Sequence, residues 1–263
     1  MTQTPATKTV LVTGGGKRIG RALCLNFAQA GWTVRVHYNR SAEAAQEVVE
    51  MITAGGGNAT AVTGNLADID GPDQIISGAL TDGNLDLLVN SASVFHYDQP
   101  AAMDPAIWTE TFAVNLRAPM RLAELFYQHA KSTGNGLVVN ILDNGVNALT
   151  PDYYTYMVAK SGLKAATQMM AMRFAPEVRV GGIAPGLTLI SGDQTAAEFD
   201  ADHRRNPLQQ GCHPNDIARA ISFMFETASM TGQVITIDGG LSMTGPGRDV
   251  AFIDQPMSTK PHN

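Results

Sequence analysis

The chain has 263 residues, an ordinary length for one α/β domain and enough for a large core. Hydrophobic residues make up 44% and charged residues 16%, a globular composition without the bias of a disordered chain. A net charge of −6 and a pI of about 5.4 argue against nucleic acid or an anionic membrane as the main partner, although a local cluster of cations can still hold an anionic ligand. Cys24 and Cys212 stand far apart and the histidines are scattered, so no disulfide framework and no metal site is expected. The opening MTQTPATK lacks a signal pattern, and no apolar run approaches the roughly 18 residues of a membrane span, which makes the cytoplasm the expected location.

Short apolar runs alternate with longer helical patterns. Residues 9–13 (TVLVT) read as a buried strand, 18–30 as a helix, 33–38 as a strand and 42–54 as an Ala/Glu-rich helix. A strand at 59–63, a short helix at 72–80 and a strand at 85–90 (LDLLVN) follow. One long helix is expected over 105–131, then a strand at 136–142, a helix at 154–174 and a strand at 178–183. A helix at 214–226 and a strand at 233–237 complete the pattern. Strands apolar on both faces, alternating with helices, imply a doubly wound α/β domain with a mostly parallel seven-stranded sheet and helices on both faces. Two segments break the alternation. Residues 187–211 are polar and follow a strand end, where ligands bind in this architecture, so they read as a lid or a surface loop. Residues 244–263 read as a frayed tail.

The first strand runs into Thr13-Gly14-Gly15-Gly16-Lys17-Arg18-Ile19-Gly20 and then a helix. Glycines there let the backbone turn tightly and approach a pyrophosphate, and the helix N-terminus favours the anion. The spacing misses G-x-G-x-x-G by one residue, so an ordinary glycine-rich loop stays open on this segment alone. The second strand ends in Asn39-Arg40-Ser41, with no Asp or Glu between Trp32 and Ala42. An acid there would hold the ribose 2′-hydroxyl of NAD, whereas a guanidinium and a hydroxyl suit the 2′-phosphate of NADP(H). Tyr156 and Lys160 lie four apart in an expected helix and share a face, and a nearby ammonium would bring the phenol closer to a working acid or base.

With VNSAS at 89–93, VNL containing Asn115, YMVAK at 156–160, APGL at 184–187 and IDGG at 237–240, the chain resembles the short-chain dehydrogenase/reductase family over about residues 7–243. The resemblance implies a Rossmann-type fold with Tyr156 as proton donor, and with Lys160 holding the nicotinamide ribose and lowering the tyrosine pKa. It implies Asn115 as the organiser of a relay water. Gly14, Lys17, Arg18, Ile19, Gly20, Asn39, Arg40, Ser41, Asn65, Leu66, Asn90, Ala92, Pro185 and Gly186 are the expected cofactor contacts. Four departures from the family pattern stand out. Arg18 replaces a glycine, Ser91 and Ser93 replace residues of N-N-A-G, Asn65 replaces an aspartate, and Asp143 stands where the family has a catalytic serine.

These departures resemble the branch of pteridine and dihydromonapterin reductases, as do Tyr38–Ser41, Phe95 and the segment from His203-Arg204 to Pro207-Leu208. The resemblance implies NADPH-dependent pterin reduction, with Arg18, Phe95, Asp143, Tyr156 and Leu187 facing the substrate, and a homotetrameric assembly. Two other readings are open: a general ketone or sugar reductase, and a non-catalytic NADPH-binding regulator. An ionised aspartate would repel a developing alkoxide, which weighs against the first. The presence of Tyr156, Lys160, Asn115 and Asp143 together weighs against the second.

Overall fold

A computed structural model describes residues 7–81, 83–131, 134–191 and 194–253. The strands are β1 Thr9–Val12, β2 Thr33–Tyr38, β3 Asn58–Thr63, β4 Leu87–Asn90, β5 Gly136–Ile141, β6 Val178–Pro185 and β7 Val234–Ile237. They form one sheet in the order β3-β2-β1-β4-β5-β6-β7. Every pairing is parallel, so the sheet is parallel throughout rather than mostly so. Val10 pairs with Val34 on one side and with Leu87 on the other, which fixes the point where the winding reverses between β1 and β4. Ligands bind beyond the strand C-termini at such a point.

Residues alternate between two cores. Val10, Val12, Val34 and Val36 face helices α1 (Arg18–Gln29), α2 (Ala42–Ala54) and α8 (Pro214–Glu226), where Leu23, Phe27, Val48, Ile217 and Ile221 cover them. Leu11, Leu88, Val138 and Val180 face α3 (Gly71–Ala79), α5 (Ala118–Ala130) and α6 (Tyr154–Phe174), under Ile75, Leu122 and Phe126. Both faces are covered, so the strands read as continuous apolar runs.

The expected long helix over 105–131 is helical without a break over 105–130, with one change of pitch inside it. α4 (Pro105–Phe112) and α5 are joined by a single wide π-type turn, Ala113–Arg117, which holds Asn115. The expected irregular stretch 187–211 contains a helix, α7 (Ala196–His203), started by a capping box in which Thr195 and Glu198 satisfy each other's backbone amides. The expected frayed tail is structured as far as it is described: short 3₁₀ turns at Leu241–Thr244 and Val250–Phe252 carry it back across the sheet end. Among the described residues no helix is long and apolar enough to cross a membrane.

Candidate active site

The C-terminal strand ends open into a cleft of about 1430 Å³. One wall comes from β5 and α6. Asp143 lies two residues past Ile141, and its Oδ1 accepts the Gly145 N–H at 2.8 Å. Its Oδ2 accepts the Tyr156 hydroxyl at 3.1 Å. Lys160, one turn further along α6, donates from Nζ to the Ile141 carbonyl at 2.8 Å. The start of α6 is anchored from the loop after β4: Asp98 Oδ1 accepts the Thr155 N–H at 2.9 Å, and its other oxygen accepts the Thr155 hydroxyl.

That same loop carries Phe95. Its ring stacks on Tyr153 at 4.0 Å and meets Tyr156 edge-on at 4.7 Å. The π-type turn explains how the loop is held. Asn115 is fully buried, its Oδ1 accepts the Val94 N–H at 2.9 Å, and its Nδ2 donates to the Val94 carbonyl at 2.8 Å.

The other wall is the turn between β1 and α1. Gly14 has φ +66°, and a Cβ there would stand 3.1 Å from the Ala92 Cα. A Cβ at Gly20 would overlap the Gly14 carbonyl oxygen, so the floor of the turn has room only for glycine. The amides of Gly14 and Gly15 are already engaged, by His37 Nδ1 at 3.1 Å and the His37 carbonyl at 2.8 Å. The amides of Arg18, Ile19 and Gly20 have no backbone acceptor among the described residues and open the α1 N-terminus to an anion. Arg40 is exposed beyond β2 and makes no ion pair among the described residues. This bare glycine floor, the unpaired helix amides and the acid-free end of β2 fit a dinucleotide with a phosphorylated ribose.

Residues 15–242 match a family model described as enoyl-(acyl carrier protein) reductase. The chain belongs to the short-chain dehydrogenase/reductase family of NAD(P)-dependent oxidoreductases. It is 30% identical over 246 residues to the 3-oxoacyl-(acyl-carrier-protein) reductase FabG of Staphylococcus aureus, covering 90% of this chain and 99% of that one. The solved structure of FolM, alternative dihydrofolate reductase 1 of Brucella suis in complex with NADP, is 37% identical, with a TM-score of 0.87 over 91% of this chain and 97% of that chain. The angucycline C-6 ketoreductase LanV with bound NADP is 27% identical, with a TM-score of 0.81 over 90% of this chain and 96% of that chain.

In this short-chain oxidoreductase burial dominates the electrostatics of the β5–α6 wall. Tyr156 is held well above the usual phenol range, first by burial and then by the charge of Asp143. Burial likewise raises Asp143, against the Gly145 and Tyr156 hydrogen bonds and the Lys160 charge. Burial lowers Lys160 to about 8, with Asp143 opposing. The wall therefore holds its protons on oxygen more firmly than free side chains would.

Most of the sequence-predicted residues line this cleft: Gly14, Lys17, Arg18, Ile19 and Gly20 from the turn, Asn39 to Ser41, Asn65, Leu66, Ala92, Phe95, Asp143, Tyr156, Lys160 and Pro185 to Leu187. Two do not. Asn90 lies beneath the cleft, where its Nδ2 donates to Asn140 at 2.8 Å and bridges β4 to β5. Asn115 has both amide atoms on Val94 rather than toward Lys160. Arg18 reaches the opposite rim, where its guanidinium donates to the Ile190 and Leu189 carbonyls at 2.6 and 3.4 Å.

Sequence reasoning missed Tyr153, Asp98 and the returning tail. Tyr153 and Asp98 had weak signals, an aromatic pair before Tyr156 and an acid in a polar loop. The tail's signal was Val250 and Phe252 after a Gly-Pro-Gly turn.

Proposed function

We propose that this oxidoreductase reduces a pterin with NADPH, which when bound supplies the hydride. The NADPH preference is supported by Arg40 and Ser41 at an acid-free β2 end, and by the NADP-bound solved relatives. The pterin preference rests on one observation: the Tyr156 hydroxyl donates to a buried carboxyl, Asp143, at 3.1 Å. A ketone reductase must stabilise oxygen that gains negative charge, and a carboxylate opposes that charge. Reduction of a ring C=N bond asks instead for a proton on nitrogen. The Tyr156 hydroxyl, which donates to Asp143, holds the proton to deliver at a ring nitrogen, where no oxygen gains the charge that a carboxylate opposes. Lys160 fixes the base of this pair through Ile141. Phe95, stacked on Tyr153, offers an aromatic face to a flat bicycle. Arg18 holds the rim segment containing Leu189 and Ile190, and Leu187 lines the cleft beside it.

A 3-oxoacyl or ketone substrate is the second reading, favoured by the 30% identity to FabG. The two are separated by NADPH oxidation measured with dihydropterins, dihydrofolate and simple ketones, repeated with NADH. Dihydropterin turnover with NADPH well ahead of NADH is expected. Ketone turnover alone, or equal use of the two cofactors, would contradict the proposal.

We further propose a homotetramer. Met169 and Met172 on α6 and Met120 on α5 are exposed, and an apolar groove of about 630 Å³ runs between α4, α5 and α6.

A further inference from the structure

The part of the tail that the sequence assigned to a frayed end builds a piece of the substrate cleft. Arg248 is buried, and its guanidinium meets the buried Asp152 carboxylate with two bonds, both 2.7 Å. The next residue is drawn into the same cluster, its N–H donating to Asp152 Oδ2 at 2.9 Å. Phe252 packs edge-on to Tyr97 at 5.5 Å and stacks with Tyr153 at 5.9 Å. Between these two anchors stands Asp249, whose position is therefore set by the fold.

Asp249 lines the cleft that also holds Asp143, Tyr156 and Phe95. Its Oδ1 accepts the Ala251 N–H at 3.0 Å. Its Oδ2 accepts no hydrogen bond, and the side chain forms no ion pair, among the described residues. Arg248, the neighbouring cation, is turned to Asp152. A half-buried carboxylate with an oxygen open to the cleft is free to accept a donor from a bound ligand. Burial, with the charges of Asp143, Asp152 and Asp202, raises Asp249 to about 6, so the group is also strained toward its neutral form. Tyr156 and Asp249 line the same cleft, from α6 and from the tail.

We propose that Asp249 is a substrate-recognition residue that accepts hydrogen bonds from an N–H edge of the substrate ring, the amino group and adjoining ring N–H of an aminopyrimidine. This rests on the pterin reading above and deepens it: Asp143 and Tyr156 meet the reducible end of the bicycle, and Asp249 meets a donor edge. A ketone has no such edge, so Asp249 selects for donor-bearing heteroaromatics.

The test compares Asp249→Asn with Asp249→Ala. An asparagine Oδ1 keeps the bond from the Ala251 N–H and turns an NH₂ donor into the cleft, where it faces the donors of the substrate. A purely structural cap would therefore survive in the asparagine variant and fail in the alanine one. A ligand carboxylate fails in both. NADPH fluorescence on binding reports that each variant is folded. The readouts are dihydropterin KM and kcat, and equilibrium binding of pterin followed by its own fluorescence.

Loss of a charge-assisted bond is expected to raise KM and the pterin Kd by about tenfold or more in both variants, with a much smaller change in kcat. Asp249→Asn with wild-type KM and Kd would overturn this inference while wild-type dihydropterin turnover leaves the pterin reading standing. No dihydropterin turnover in the wild type would overturn both.

Discussion

His37 shows how one buried side chain can couple the cofactor turn to pH. Its Nδ1 accepts the Gly14 N–H and its Nε2–H donates to the Gly64 carbonyl, both at 3.1 Å, so the neutral Nε2–H tautomer joins the β1–α1 turn to the loop after β3. Burial lowers the imidazole from 6.5 to about 4. Below pH 6.5 the unfolded chain binds a proton here that the folded chain refuses until about pH 4, so folding stability declines as pH falls through that window. The full effect is about 3 kcal/mol. Urea unfolding between pH 7 and pH 4 should show a shallower pH dependence in His37→Gln than in the wild type. Parallel curves would show that His37 titrates alike in the folded and unfolded chain. The sequence led to the expectation of a cofactor at the end of β2, but the role of His37 was hidden, because its partners Gly14 and Gly64 lie 23 and 27 residues away in the chain.

The elements differ in how plainly the sequence states them. Strands β1, β2, β4, β5 and β6 are legible because their apolar runs are buried on both faces, and the partly exposed edge strands β3 and β7 because helical patterns bound them. The π-type turn is not, because Ala113–Arg117 carries no Pro or Gly to interrupt the helical pattern, and only the contact of Asn115 with Val94 marks it. α7 is short and mostly exposed, so it has no apolar stripe, although Thr195 and Glu198 spell a capping box. The tail is hidden for a different reason: Arg248 finds Asp152 across 96 residues. That pair is nearly solvent-free, with side chains 7% and 3% exposed. Arg248→Ala would leave Asp152 buried without a counter-charge, a loss of about 3–5 kcal/mol. Thermal unfolding of Arg248→Ala should show a drop of that order, together with a raised dihydropterin KM as Asp249 loses its anchor. An unchanged melting temperature would show that the tail does not pack as described.

At the scale of the whole molecule, two surfaces remain to be accounted for. One is the exposed methionine-bearing face of α5 and α6 beside the apolar groove. Light scattering at micromolar concentration should give about four times the 27.9 kDa chain mass, and a mass of one chain would rule the tetramer out. The other is the cleft, where residues from the β1 turn, the β4 loop, α6 and the tail meet. The family and the fold were legible from ordered motifs, as was the meeting of the β1 turn, the end of β2 and α6 at one cleft, but the part the tail plays in it depends on contacts between distant segments.

Asp143 is the residue on which the substrate reading turns, so its exchange for the family's serine is the most direct test. NADPH oxidation is measured with a dihydropterin and with a simple ketone, in the wild type and in Asp143→Ser. The expected result is wild-type turnover of the dihydropterin, a fall of about 10²-fold in Asp143→Ser, and ketone reduction no slower than in the wild type. Brisk ketone reduction without dihydropterin turnover in the wild type would contradict the assignment.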